Sequence, residues 1–175
     1  MHIETERKFL IVMPEREELC KTGCRVLDIV QTYIMINPAT GEEARVRSIT
    51  ENGETVYIHT EKKRISAVSR TEDEKEITKE EYDRLRNTKG ATELTKTRYA
   101  FPWGEHTVEI DVYPHEIGGD ALDGMAVLEV ELGAEDEIFE IPPFIKVVRE
   151  LTGRREFSNK ALAKPRENYN NNLKK

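Results

Sequence analysis

The chain has 175 residues, of which 35% are charged and only 37% hydrophobic, and it carries a net charge of −7. That length suits one domain with its own core, and the acidic balance excludes a general nucleic-acid binder, which needs basic surface to neutralise phosphates. Cys20 and Cys24 make neither a disulfide scaffold nor a zinc site with two ligand pairs. With no signal-like N-terminus and no apolar run long enough to span a bilayer, the expectation is a soluble, cytoplasmic protein with no membrane partner.

Short alternating segments separated by turn residues predict a mainly β (α+β) chain with antiparallel pairing. The first strand spans 2–12, where Glu4, Glu6 and Lys8 share one face about 6.6 Å apart while Ile3, Thr5, Arg7 and Phe9 share the other. Like charges so close call for a cation between them. A helical turn is expected over Pro14 to Leu19, then strands at 26–36, 43–50 and 55–63, the last two joined at Asn52-Gly53, a pair that tolerates the positive φ of a tight hairpin. A strand at 69–77 leads to Thr78 and Glu81, spaced as a capping box, so 79–88 should be helical. Strands at 94–101 and 106–113 flank a turn at Gly104-Glu105, and Pro114 to Gly124 reads as a loop before a strand at 126–133. Pro142 and Pro143 suit a helix start, Phe144, Ile145, Val148 and Leu151 supply an apolar stripe, and Gly153 suits the end. Ser158 should cap a short helix through Leu162, which Pro165 ends. No repeat or linker divides the chain, so 1–165 is expected as one domain and 166–175 as a flexible tail.

Strand parity then sorts the charges. Arg45 falls with Arg47; Arg70, Glu72, Glu74 and Glu76 fall together; Lys96 falls with Arg98, Glu109 with Asp111, and Glu129 with Glu131. Beside several pairs the opposite face is apolar, as with Ile110 and Val112 or Leu128, Val130 and Leu132. One arrangement leaves the charged face in water, where ion pairs contribute little. The other closes the sheet into a barrel with a lumen of both signs, compensated by bound metal and anion. Arginine and lysine hold phosphate oxygens, and carboxylates hold Mg²⁺ or Mn²⁺, so such a lumen suits a polyphosphate.

Glu4-x-Glu6-x-Lys8 resembles the signature of CYTH domains, the triphosphate tunnel metalloenzymes. The likeness continues in order through Arg45-x-Arg47, Thr60-x-Lys62, Arg70-x-Glu72-x-Glu74, Lys96-Thr97-Arg98-Tyr99, Glu109-x-Asp111, Glu129-x-Glu131 and Ser158-Asn159-Lys160. The resemblance implies a closed eight-stranded antiparallel β-barrel, or tunnel, with a few peripheral helices, and divalent-metal-dependent hydrolysis of a triphosphate. Glu4, Glu6, Asp111, Glu129 and Glu131 would be the metal ligands, and Glu4, Glu6 and Lys8 the catalytic group. Lys8, Arg45, Arg47, Lys62, Lys96 and Arg98 would grip phosphates, with Arg70, Glu72 and Glu74 completing the lumen. Members often carry Arg-Tyr-Ser-Asn where this chain has Glu156-Phe157-Ser158-Asn159, so the basic group is expected from Arg154, Arg155 or Lys160. Inorganic tripolyphosphate is the first substrate implied, then ATP or another nucleoside triphosphate, or thiamine triphosphate. The rivals are a class IV-type adenylate cyclase making cyclic AMP from ATP, and a non-catalytic polyphosphate or nucleotide binder.

His2, His59, His106 and His115 have no metal-ligand spacing, and no P-loop, Gly-x-Gly-x-x-Gly or Gly-x-Ser-x-Gly is present. Trp103 after Pro102 is expected to pack at a turn, and Cys24 in a core.

Overall fold

The computed structural model describes residues 5–37, 39, 42–64, 70–134 and 136–166, with side chains at 62–64 and 70–72 left out. Residues 2–4 of the expected first strand, including Glu4, and residues 167–175 of the expected tail lie outside this set. Among the described residues no helix is long and apolar enough to cross a membrane.

The chain divides into two compact units, 1–27 with 96–158 and 28–95 with 159–175. The division cuts strand β2 (Arg25–Asn37) after Leu27 and strand β6 (Thr92–Trp103) after Thr95.

In the first unit, β6 continues to β7 (His106–Val112), β8 (Met125–Leu132), β1 (Thr5–Val12) and β9 (Val147–Glu150) in hydrogen-bonded order. β1 runs antiparallel to β8 with Lys8 opposite Glu129, and β7 antiparallel to β8 with Glu109 opposite Glu129. Phe101, Val108, Ile110, Ala126, Leu128, Val130 and Leu132 form one buried core with Phe9 and Ile11. Alternation therefore sends these residues to the core and leaves Glu6, Lys8, Lys96, Arg98, Glu109, Asp111, Glu129 and Glu131 on the other face. Helix α1 (Arg16–Lys21) contributes Leu19 to the core, in the expected place.

In the second unit the order is β5 (Arg70–Glu76), β4 (Glu54–Arg64), β3 (Glu42–Glu51), β2 and β6, with the short β10 (Lys164–Pro165) also on β6. The β3–β4 hairpin turns at Asn52 (φ 51°) and Gly53 (φ 85°), the left-handed pair expected there. Helix α2 (Lys79–Arg86) starts where Thr78 Oγ1 accepts the Glu81 N–H at 3.2 Å, and it buries Tyr82 against Val46 and Ile77.

Three expectations are corrected. The stripe after Pro142 is not a helix: the chain makes a single turn in which Ile145 N–H donates to Pro142 O at 2.9 Å, and 147–150 adds to the free edge of β1 as β9. Phe144, Ile145 and Leu151 still turn inward, whereas Val148 is exposed, because a β-branched pair beside an open strand edge gains a ladder that an isolated helix would forgo. Pro114 to Gly124 is ordered, as helix α3 (His115–Gly118) and a 3₁₀ turn at Asp120–Leu122 that bury Ile117 and Leu122. Here Gly118 is required, since a Cβ would lie 2.7 Å from that of Leu122. Lastly, the sheet has ten strands instead of eight, and among the described residues hydrogen bonds do not close it into a barrel: the order ends at β5 and β9, with β9 occupying the outer edge of β1.

Candidate functional site

On the charged face of the first unit, register sets charges opposite one another. Glu6 faces Glu131 and Glu109 faces Glu129, two like-charged cross-strand pairs that by themselves destabilise a sheet. Two basic side chains bridge them. Lys8 Nζ lies 3.1 Å from Glu6 Oε1 and 2.9 Å from Glu129 Oε1. Burial pulls the Lys8 ammonium down, but Glu129 and Glu6 outweigh it and hold its pKa above the ordinary lysine value. Arg98 spans three carboxylates: it grips Asp111 in bidentate fashion (Nε–Oδ1 2.6 Å, Nη2–Oδ2 2.8 Å), reaches Glu129 Oε2 at 3.2 Å and pairs through Nη1 with Glu109.

Beneath them sits the most buried charge cluster of the face. Asp111 has no exposed surface and also accepts Lys96 Nζ at 2.5 Å. Burial alone would lift the Asp111 carboxyl, but Lys96 and Arg98 together hold it below the usual carboxylate range. The Lys96 ammonium is pushed down by burial, which Asp111 opposes and the neighbouring Arg98 reinforces. Burial lifts the Glu109 carboxyl above its ordinary range; Arg98 opposes this, and Asp111 and Glu129 add to it.

Above this layer lies a cavity of about 250 Å³ lined by Glu6, Glu105, Glu109, Glu129 and Glu131 with His106, Thr107 and Val130. Glu6, Glu129 and Glu131 are thus brought to one cavity as the sequence anticipates. Asp111 is instead sealed below it as the anchor of Lys96 and Arg98, and Glu109, its partner at i−2, lines the cavity. Sequence reasoning placed Glu109 on this face but gave it no role. His106, which the sequence reading set aside for want of metal-ligand spacing, also lines the cavity; its Nε2 sits 3.1 Å from Glu137 Oε1 and its ring stands edge-on to Phe139. No spacing rule links His106 to residues thirty positions away. Among the described residues, no three carboxylate, histidine or cysteine side chains converge into a ready-made metal site.

The second unit carries its own charged face. Glu43, Arg45 and Arg47 alternate with the buried Ala44 and Val46. Arg47 Nη2 lies 2.7 Å from Glu74 Oε2, which also accepts Thr60 Oγ1 at 3.1 Å. The buried Nε of Arg45 has no hydrogen-bond partner among the described residues. Lys160, on helix α4 (Asn159–Leu162), is taken up by both oxygens of Glu43 at 2.5 and 2.6 Å. Lys62, Arg70 and Glu72 lie on β4 and β5, with their side chains outside the described set.

These features define a mainly antiparallel β protein with an acidic cavity bridged by lysine and arginine. Neither protein-family models nor curated proteins give a match to the chain. Among solved structures it is similar to the inorganic triphosphatase NE1496, with 28% identity over 91% of this chain and 97% of that one and a TM-score of 0.58. A second crystal structure, described as hypothetical protein NE1496, aligns over 92% of this chain and 97% of that one, with 28% identity and a TM-score of 0.57.

Proposed function

We propose that this protein hydrolyses a triphosphate, inorganic tripolyphosphate first, with Mg²⁺ or Mn²⁺ bound at the cavity of the first unit. The observation that carries the proposal is the charge balance of that face. Among the described residues, Lys8, Lys96 and Arg98 are each paired with carboxylates, and the cavity above them is lined by Glu6, Glu105, Glu109, Glu129 and Glu131, an acidic excess suited to a divalent ion. The similarity to an inorganic triphosphatase supports the same reading.

The donor set fits the metal. The cavity offers hard carboxylate oxygens, and Mg²⁺ is commonly held by one or two carboxylates with the remaining positions given to water and substrate phosphates, so a three-residue cage is not required. Glu6 and Glu131, directly opposite, and Glu129 are the residues we assign to hold it, with Glu4 as the sequence's further candidate. When bound, the ion neutralises phosphate charge and polarises the terminal phosphorus. Lys8 turns from Glu6 and Glu129, and Arg98 from Glu109 and Glu129 while keeping Asp111, to bind phosphate oxygens and stabilise the charge that spreads over them in the transition state. Water attacks the terminal phosphorus as the anhydride P–O bond breaks, and the shorter polyphosphate leaves. Glu109, whose proton affinity burial raises, is suited to take the water's proton. Asp111 positions Lys96 and Arg98. In the second unit Arg45, whose buried Nε has no partner among the described residues, and Arg47 are assigned to capture of the anion on their own chemistry. Lys62, Arg70, Glu72, Glu74 and Lys160 remain assignments from the sequence.

The test is to incubate purified protein with tripolyphosphate or ATP, with Mg²⁺, Mn²⁺ or excess EDTA, and to quantify phosphate, diphosphate and cyclic AMP. Metal-dependent phosphate release supports the reading. Cyclic AMP as the main product would identify a cyclase, and tight binding without any product a binder.

A further inference from the structure

The backbone of Lys8 is held by a side chain. In most of the β1–β9 contact the pairing is between main chains, but the ladder shifts register between Leu10 and Ile11 and ends at Phe9 opposite Glu150. Beyond that end the Lys8 carbonyl accepts Leu151 N–H at 2.7 Å, while the Lys8 N–H donates to Thr152 Oγ1 at 3.1 Å. The Thr152 hydroxyl gives its own hydrogen to Glu150 Oε1 at 2.8 Å, which leaves its lone pair facing Lys8. Glu150 Oε1 also accepts Arg7 Nε at 3.0 Å. The result is a directional chain from the Lys8 amide through a hydroxyl to a carboxylate, closed by the guanidinium of the residue next to Lys8.

We propose that Thr152 and Glu150 are positioning residues for Lys8: they clamp the peptide from which its ammonium reaches the cavity carboxylates Glu6 and Glu129. The catalytic consequence rests on the triphosphatase reading. Arg7 and Glu150 are partly exposed, and an exposed pair adds little to stability. What the chain fixes is position. Lys8 Nζ is within 3.1 Å of one cavity carboxylate and 2.9 Å of another, and a shift of β1 by a fraction of an ångström alters both. Small misplacements of a group that stabilises a transition state cost rate more than they cost folding. Arg7 and Phe9, on the opposite face of β1, brace the same point, the guanidinium lying 4.8 Å from the ring centroid.

The experiment uses the full chain with Thr152→Val, which keeps the shape and removes the hydroxyl, and Thr152→Ser, which restores it. In the free protein, amide hydrogen exchange at Lys8 is expected to rise about tenfold in the valine variant and to return to the wild-type rate in the serine variant. With tripolyphosphate, kcat should fall about tenfold in the valine variant with KM within twofold, and serine should recover it. Glu150→Gln is the second variant, with the same pattern at smaller amplitude. Unchanged exchange at Lys8 overturns the clamp. Raised exchange with an unaltered kcat overturns the positioning role, as does faster exchange spread over every strand with a lowered urea midpoint, since that is loss of stability alone. Wild-type protein that turns over no triphosphate sinks the triphosphatase reading, and the clamp then stands or falls by the exchange at Lys8.

Discussion

Asp111 should matter more to folding than Lys96, although the two form one ion pair. The asymmetry follows from who else holds each partner. Asp111 serves Lys96 at 2.5 Å and two donors of the Arg98 guanidinium, Nε and Nη2, at 2.6 and 2.8 Å, so Asp111→Asn leaves two buried cations without their shared counter-charge. Breaking a buried pair from that side costs about 3–5 kcal/mol, which for a chain of this size lowers the melting temperature by roughly 6–20 °C. Lys96→Met keeps the apolar stem and leaves Asp111 with its bidentate arginine. The lost charge-assisted hydrogen bond is offset by no longer burying an ammonium whose side chain is only 2% exposed, so the net cost should stay within about 1 kcal/mol. Adding Lys96→Met to Asp111→Asn should restore part of the loss, because it removes one orphaned charge. Urea unfolding at pH 7 followed by far-UV circular dichroism, with equal m-values across the set, measures all four corners of the cycle. Equal costs for the two single variants, or a double variant weaker than Asp111→Asn, would refute the shared-anchor argument.

Glu6→Gln and Glu129→Gln should each lower metal-dependent turnover at least tenfold, and for Glu6, half exposed and facing Glu131, with a urea midpoint unchanged or slightly raised; near-wild-type rates in both would remove them from the metal site. Arg47→Ala should raise KM for tripolyphosphate several-fold with a smaller effect on kcat, and an unchanged KM measured by steady-state phosphate release would count against anion capture there. Glu93 in the second unit tests pH linkage. Burial would lift its carboxyl, but Arg86, Thr32 and Arg166 win and hold it below the usual range, so it contributes stability above the unfolded carboxylate pKa that disappears as pH falls through the folded one. Urea midpoints between pH 6 and pH 3 should therefore fall less steeply in Glu93→Gln than in wild type, and parallel curves would show that Glu93 does not drive the acid limb.

Much of the β-structure was legible because period-two alternation is a local signal. Placing Glu6 with Lys8, Lys96 with Arg98, and Glu129 with Glu131 needs only the count of residues along each strand, and all three pairs keep their face. The capping box at Thr78 was equally local. The segment after Pro142 was not, because Phe144, Ile145, Val148 and Leu151 fit a helical stripe and the deciding factor, an open edge on β1, comes from the far end of the chain, where Phe9 pairs with Glu150. The same limit separates Glu109 from Asp111. They share parity, but only depth along β7 decides which one lines the cavity and which is sealed under it. Lys160 illustrates a third kind of gap: its charge was visible in the sequence, but not that Glu43 would occupy it.

The bridging contacts also explain why acidic pairs can persist in a sheet that gains nothing from them structurally. Glu6 opposite Glu131 and Glu109 opposite Glu129 each oppose pairing by a few tenths to about 1 kcal/mol. Replacing one member of each pair by threonine would relieve this at no cost to β-propensity. Lys8 and Arg98 offset the repulsion, and in doing so they give to carboxylates the donors that would otherwise meet an anion. A cation and a polyphosphate arriving together would satisfy both sets at once, the cation taking the carboxylates as the phosphates take the lysine and arginine. Each ligand should then strengthen the binding of the other by the same factor, as linkage requires. On the proposed function, the repulsion between these acidic pairs would be the source of coupling between metal and substrate, and a variant that relaxes it should gain stability while losing that coupling.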